Sequence, residues 1–380
     1  MNNIYHFCQD EKFINSAYQQ FETLYPGKNK FLVYGADPTR IKHLNVTRAY
    51  HFVSDVKTEI QQVPPNTVVI FHSLPNHILR YINLLDDSVK TVWLCFGYEV
   101  YNDINLYSEN KTLDKNTKRH FGAPPATLKE QVFEKTLPLH RIFRPSVGYS
   151  LREQKLKKLK RVNYLGCSFD EEFKQIKKLT KVKAPLFKFW YYPLEKILDI
   201  NMPISLDKNS VLVGNSGTKS GNHLDVLEKL KKLGVRNEEF VIPLSYGNAG
   251  YIDYIKKTFN LSSNKVVFQE DFLKLEEYNS ILSRAKVALF NTRRQQAIGN
   301  IVALIYHGAK VFISEKNTFY HFLKRKGVLV YSYENELNSK SFKTLMTKEE
   351  IERNRKFLYN ILNEKKILEE LKTSVDKILK

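Results

Sequence analysis

Short apolar, β-branched runs recur along this 380-residue chain, separated by polar stretches with helical periodicity. In the first half they are KFLVYG (30–35), TVVIFHS (67–73), TVWLCFG (91–97) and VNYLGCS (162–168). In the second half they are SVLVGNS (210–216), EEFVIPLSY (238–246), KVVFQED (265–271), KVALFNT (286–292), KVFISE (310–315) and GVLVYS (327–332). A run that is apolar on consecutive residues suits a strand buried on both faces, the habit of parallel sheets. Parallel neighbours need a crossover, and helix candidates supply it at 223–233, 250–259, 273–285, 297–307 and 318–325. The fold class expected is therefore α/β, built from βαβ units.

The runs fall into two sets. Between them lies KAPLFKFWYYPLEKILDINMPISLDKNS (183–210), with prolines at 185, 193 and 203, which reads as a linker. The expected division is a first domain over 1–190, a second over 205–347 and a charged helical tail over 348–380. Two open α/β domains in tandem imply a cleft, and ligands of open sheets bind beyond the carboxyl ends of the strands. The residues that follow each strand are thus the ones to inspect.

Composition narrows the ligand class. Apolar residues make up 42% and aromatics 13%, so sizeable cores are expected rather than disorder. No stretch approaches the ~20 apolar residues of a membrane span. The opening MNNIYHFCQDEKF has no basic region followed by an apolar one, so no secretory signal is read there. Cys8, Cys95 and Cys167 lack CxxC spacing and read as buried free thiols of a reducing cytoplasm. No His/Cys/Asp cluster has metal-ligand spacing. Sixty Lys and Arg against 40 Asp and Glu give a net charge of +20, which calls for an anionic partner: nucleic acid, anionic lipid or phosphorylated substrate.

The loop GNSGTKSGNH after SVLV is rich in donors. Gly214 and Gly217 permit positive φ and close backbone approach, and Asn215, Ser216, Thr218 and Lys219 offer hydrogen bonds beside a helix start. It is neither GxGxxG nor a Walker loop, and it also reads as a plain turn with a polar cap. After VIPL comes SYGNAGY (245–251), whose Tyr246 is placed to stack on a base or sugar or simply to pack. After KVALFN comes TRRQQAIGNIVAL (292–304). There Arg293, Arg294, Gln295 and Gln296 crowd a helix start, where arginine's fork geometry suits a diphosphate and such polar side chains otherwise serve as solvent-facing caps. In the first half, His72 lies just past one strand, and Glu99 follows another in GYEVYND (97–103). His72 reads as a structural histidine or a candidate base, and Glu99 and Asp103 read as candidate bases for an acceptor hydroxyl or as exposed turn acids. The run REQKLKKLKR (152–161), with HRIFRPSVGYS (140–150) before it, reads as a basic amphipathic surface for anionic lipid, or as a solvated charged helix.

Taken in order, VLVGNSGTKSGNH, VIPLSYGNAGYIDYIKK, RRQQAIGNIVALIYHGAKVFIS and KNTFY, with IFHS and VWLCFGYEVYND before them, resemble the 4-acetamido-4,6-dideoxygalactose (Fuc4NAc) transferases of enterobacterial common antigen synthesis, glycosyltransferase family 56. The blocks span roughly residues 67–325. The resemblance implies a GT-B fold of two Rossmann-like domains facing each other across a cleft, with the acceptor on the first and the nucleotide-sugar on the second. It also implies a dTDP-sugar donor, an undecaprenyl-diphosphate-linked acceptor, no tightly bound metal or other cofactor, and work at the inner face of the inner membrane. On that reading Gly214, Asn215, Ser216, Gly217 and Lys219 hold the diphosphate with Arg293, Arg294 and Gln295. Tyr246 and Gln296 meet nucleoside or sugar, Glu99 is the base, and His72 stands second. The chain departs from the family in having Phe96-Gly97-Tyr98-Glu99 for a Trp-Gly-Ala-Asp type segment. It has Gln295 and Ala303 where many retaining GT-B enzymes carry paired glutamates, so the stereochemical outcome stays open. A nucleotide-sugar epimerase of the same architecture and a basic nucleic-acid-binding protein are the other readings. The bases are not interleaved with aromatics as in a nucleic-acid module.

Overall fold

The structure, a computed structural model, describes residues 3–45, 48–124, 132, 136, 149–205 and 207–379. The chain forms two units. The first comprises Met1–Ser108, Pro124–Tyr191 and Ile367–Lys380; the second comprises Glu109–Ala123 and Tyr192–Lys366.

The first unit carries seven strands: β1 (Ile4–Cys8), β2 (Asn29–Tyr34), β3 (Tyr50–Val53), β4 (Val68–His72), β5 (Lys90–Leu94), β6 (Tyr164–Cys167) and β7 (Leu186–Lys188). They pair in parallel in the order β3-β2-β1-β4-β5-β6-β7. The second unit carries β8 (Ser210–Val213), β9 (Glu239–Pro243), β10 (Lys265–Gln269), β11 (Ala285–Phe290), β12 (Lys310–Ile313) and β13 (Tyr331–Ser332), also all parallel, in the order β10-β9-β8-β11-β12-β13. The α/β expectation holds. Each sheet starts in its middle and grows first one way and then the other. That creates one switch point between β1 and β4 and a second between β8 and β11, where neighbouring loops part and ligands find room.

Central strands are buried on both faces, as their unbroken apolar runs require. Val68–His72 and Val211–Val213 are buried throughout. Two places depart from the division read in the sequence. Residues 109–123, from the first half, belong to the second unit, held there by the helix Lys115–Phe121. The charged tail does not stand apart. Its helix Lys348–Leu362 sets Ile351 against Gly308, where a Cβ would lie 2.6 Å from Ile351 Cδ1. The last helix, Glu364–Leu379, buries Leu371, Val375 and Ile378 with Ile4, Phe31 and Phe187 of the first unit. A stripe at that spacing lies on one helix face, so the tail's apolar residues must find a core.

All three cysteines are free, Cys8 and Cys167 buried and Cys95 partly so. Burial raises each thiol, which leaves them protonated and unreactive. Among the described residues no helix is long and apolar enough to cross a membrane.

Candidate functional site

In the second unit, three strand-end loops meet at the β8/β11 switch point. The Gly217 amide donates to the Tyr246 carbonyl at 2.8 Å, and the Asn248 amide donates to the Gly217 carbonyl at 3.0 Å. This contact explains two glycines. A Cβ on Gly247 would lie 2.2 Å from the Gly217 carbonyl carbon, and one on Gly217 would lie 2.2 Å from Ile252 Cγ1. Their smallness serves loop-to-loop packing. Side chains extend the junction. Asn215 Nδ2 donates to the Tyr246 hydroxyl at 3.1 Å. Gln296 Nε2 donates to Asn215 Oδ1 at 3.2 Å and to Thr218 Oγ1 at 3.1 Å, while its Oε1 accepts from Ser220 Oγ at 2.8 Å. Gln296 is thus the hub that ties the loop after β11 to the loop after β8.

The rest of the glycine-rich loop is turned inward. Ser216 is buried and bonded to Thr218. Gly214, at φ +69°, lies against the ring of His223: a Cβ there would be 2.7 Å from Nε2. The helix start that this loop leads into is filled by protein. The first amide of His223–Leu233 donates to the Tyr251 hydroxyl at 3.0 Å. Asn222 before it donates to the Asn291 carbonyl at 2.7 Å and the Thr112 carbonyl at 3.0 Å. Lys219 stays near the surface, 3.8 Å from Glu109.

The helix Ile298–His307 is different. It begins after Ala297, a non-glycine residue at φ +61°, and no side chain caps it. Left-handed backbone at such a residue costs about 1 kcal/mol and recurs at functional sites. A Cβ on Gly299 would meet nothing within 4 Å. Arg293, Arg294, Gln295 and Gln296 are half-buried beside this start. An uncapped helix N-terminus next to two guanidinium groups attracts an anion. Arg294 Nη1 donates to the Gln295 carbonyl at 3.2 Å.

Arg293 forms an ion pair with Asp114, a residue of the 109–123 segment. Asp114 Oδ2 also accepts from Asn291 Nδ2 at 2.9 Å, and the Asp114 amide donates to Asn222 Oδ1 at 2.7 Å. Burial would raise this carboxyl, but the Asn291 bond and the Arg293 charge outweigh it and hold it below the usual aspartate value. Asp225 fixes the same segment by accepting from the amides of Asn116 at 2.7 Å and Thr117 at 3.0 Å. Sequence reasoning missed this buttress. The only local signal is an Asp before a short helical pattern, and the partners lie more than a hundred residues away.

In the first unit the two candidate bases are engaged in the interior. Glu99 is 5% exposed; its Oε1 accepts from Trp93 Nε1 at 3.0 Å and from the Phe96 amide at 3.1 Å. Burial pushes its carboxyl above the ordinary glutamate value. His72 belongs to a directional chain. Asn29 Nδ2 donates to Glu22 Oε1 and to the Tyr25 carbonyl, each at 2.8 Å, so Asn29 Oδ1 must accept from His6 Nε2 at 3.3 Å. His6 Nδ1 then accepts from His72 Nε2 at 3.0 Å, and His72 Nδ1 accepts from the Tyr191 hydroxyl at 2.9 Å. Both nitrogens of His72 are therefore used internally.

Burial holds His6 near a pKa of about 3 and His223 near about 4. Both are neutral in the folded chain, whereas the unfolded chain protonates them near 6.5. Folding stability is then fully present above pH 6.5. Each histidine removes about 1.4 kcal/mol per pH unit as pH falls from 6.5 toward 4 for His223, and toward 3 for His6. Denaturant midpoints measured from pH 8 to pH 4 should drop below 6.5; a flat profile would contradict the neutral assignment.

The basic run is partly structural. Lys155 forms a buried ion pair with Asp103 at 2.7 Å. Arg152 donates to the Asn105 and Leu106 carbonyls, and Arg161 to those of Asp86 and Val89. Lys157 and Lys160 are exposed and Lys158 is half-buried. Residues 140–148 lie outside the described residues. Among the described residues no three His, Cys, Asp or Glu side chains converge as a metal ion would need.

The sequence family described as 4-alpha-L-fucosyltransferase, glycosyl transferase group 56, matches the chain over residues 143–361, more than half its length. This chain is a member of glycosyltransferase group 56. The match takes in the β8, β9 and β11 loops and their Gln296 hub, and leaves Asp114 and its segment outside. The group 56 chain has the GT-B fold. Among solved structures, the N-terminal domain of Candida albicans trehalose-6-phosphate phosphatase is similar at 12% identity and TM-score 0.61, covering 100% of this chain and 97% of its own. An Escherichia coli trehalose-6-phosphate protein bound with UDP-2-fluoro glucose follows at 8% identity and TM-score 0.59, covering 100% and 99%. WaaG, a glycosyltransferase of lipopolysaccharide biosynthesis, gives 12% identity and TM-score 0.52, covering 98% and 99%. Likeness at such identities speaks for the fold; the family match speaks for the activity. The chain is a glycosyltransferase, which sets aside the epimerase and nucleic-acid readings.

Proposed function

We propose that this group 56 transferase moves an amino-deoxysugar of the Fuc4NAc type from a dTDP-sugar to an undecaprenyl-diphosphate-linked saccharide, without a tightly bound metal. The observation that carries the donor half is the uncapped start of Ile298–His307 beside Arg293 and Arg294, tied by Gln296 to Asn215 and Tyr246. In this reading the diphosphate lies at that helix start, and Arg293, Arg294 and Gln295 stabilise the charge that grows as the nucleotide leaves. Lys219 and Asn215 approach from the β8 loop. Tyr246, 50% exposed, offers its ring to base or sugar, next to Gln296. Gly214, Ser216 and Gly217 shape the loop from within instead of touching the ligand.

A ligand that binds only the folded state raises its melting temperature. Metal-free dTDP should do so for the wild-type chain, ahead of UDP, GDP and ADP; no shift at millimolar nucleotide sinks the donor reading. The acceptor half includes peripheral contact with anionic lipid through Lys157, Lys158 and Lys160. Co-sedimentation with phosphatidylglycerol vesicles should weaken when all three become glutamine, and unchanged binding would move the contact elsewhere.

A further inference from the structure

The β1/β4 switch point of the first unit holds a carboxylate that no reading so far uses. The loop after β1 runs Gln9-Asp10-Glu11-Lys12-Phe13. Asp10 is fully committed: it accepts from the amides of Lys42 at 2.7 Å, His43 at 3.0 Å and Leu44 at 2.9 Å. Its neighbour Glu11 is half-buried, and its carboxylate makes no hydrogen bond or ion pair with any described residue. The Glu11 carbonyl accepts from the Ile14 amide at 3.0 Å, which anchors the loop to the start of the helix Ile14–Leu24.

The groups around Glu11 come from several strand ends. Its charge bears on Tyr34 at the end of β2 and on Tyr98 after β5. The Tyr98 hydroxyl accepts from Ser73, after β4, at 3.1 Å. Beside them stands a partly exposed aromatic wall. Phe13 and Phe96 lie 4.3 Å apart between ring centres, Phe96 and Tyr98 6.5 Å, and Phe96 and Tyr191 5.0 Å. Aromatic faces take the C–H face of a sugar ring, and the adjacent hydroxyls take its polar edge. The charged groups whose fields reach Glu11 are His43, Asp10 and Lys12, and Glu11 and Glu99 both bear electrostatically on Tyr34 and Tyr98.

We propose that Glu11 is the catalytic base of the transfer, and that the Phe13–Phe96–Tyr98 wall seats the acceptor's sugar ring beside it. The inference rests on the reading that the first unit binds the acceptor. In the step, the acceptor oxygen forms its bond to the donor's anomeric carbon. The bond from that carbon to the diphosphate oxygen breaks, and its electron pair leaves with the nucleoside diphosphate. The proton of the acceptor hydroxyl passes to the Glu11 carboxylate. Burial raises this carboxyl, with Asp10 adding to the rise and His43 and Lys12 opposing it. A base whose pKa moves toward the working pH takes a proton more readily.

The test compares Glu11→Gln and Glu11→Asp with the wild-type full chain. The readout is nucleoside diphosphate released from dTDP-, UDP- and GDP-sugars in the presence of a short polyprenyl-diphosphate-linked saccharide. Glu11→Gln should lose about 100-fold in kcat, with the donor KM, the melting temperature and the dTDP-induced shift unchanged. Its kcat profile should also lose the acid limb that the base sets. Glu11→Asp should recover part of the rate. A Glu11→Gln kcat within threefold of wild type overturns the assignment, as does equal loss of melting temperature in both variants. Turnover by wild type on UDP- or GDP-sugars alone would defeat the dTDP reading while leaving the Glu11 comparison intact.

Discussion

Replacing Arg294 by alanine should lower kcat by ~10²–10³, with a smaller effect on the donor KM. The leaving diphosphate gains charge as its bond to the sugar breaks, so a cation placed for that charge acts more strongly on the transition state than on bound substrate. Loss of one preorganised donor at such a position is worth about 2.7–4 kcal/mol. Arg294 is the candidate because it closes the β11 loop immediately before Gln295, whose carbonyl it bonds, at the start of Ile298–His307. Arg294→Lys keeps the charge but loses the planar fork, so it should recover only part of the rate. Steady-state kinetics on the donor that wild type accepts decides the matter. A change confined to KM would make Arg294 a uniform binder, and no change would place the diphosphate elsewhere.

Much of the fold is legible because buried parallel strands declare themselves as unbroken apolar runs. The strands that escaped notice lack that property. β1 carries His6 in its middle, made tolerable by a partner on each ring nitrogen. β3 is four residues long and nowhere fully buried. β7 sits inside the proline-bearing stretch that reads as a linker. The donor loops are legible for a topological reason: they follow strands that flank a switch point. Their chemistry is less so. Glycine signals backbone freedom or close approach, and the sequence does not say that what Gly217 approaches is Gly247. Likewise a glutamate after a strand is a candidate base by pattern alone. Glu99 turns its Oε1 inward to Trp93, whereas Glu11, hidden from pattern reading because β1 before it went unrecognised, keeps its carboxylate clear of partners among the described residues.

The 109–123 segment is the element furthest from sequence reasoning, and its energetic weight can be measured. Asp114→Ala should destabilise the second unit by about 2–3 kcal/mol. Breaking a buried ion pair from one side typically costs ~3–5 kcal/mol, because the surviving charge is stranded. Here the figure is reduced, since the Asp114 and Arg293 side chains retain 26% and 19% of their exposure. The variant leaves the Asn291 amide without its 2.9 Å acceptor and removes the cap that Asp114 gives the Lys115 amide, itself worth ~1 kcal/mol. Glu109→Ala is the control. Its contact with Lys219 is long and solvent-exposed, so it should cost no more than ~0.2–1 kcal/mol. Urea midpoints of the two variants separate a buttress from a chance surface pairing, which would make them equal. The Asp114 variant also tests how Arg293 is used. A guanidinium oriented by Asp114 loses its direction in Asp114→Ala, so the donor KM rises. A guanidinium that Asp114 merely neutralises would instead gain affinity for a diphosphate, and the donor KM would fall.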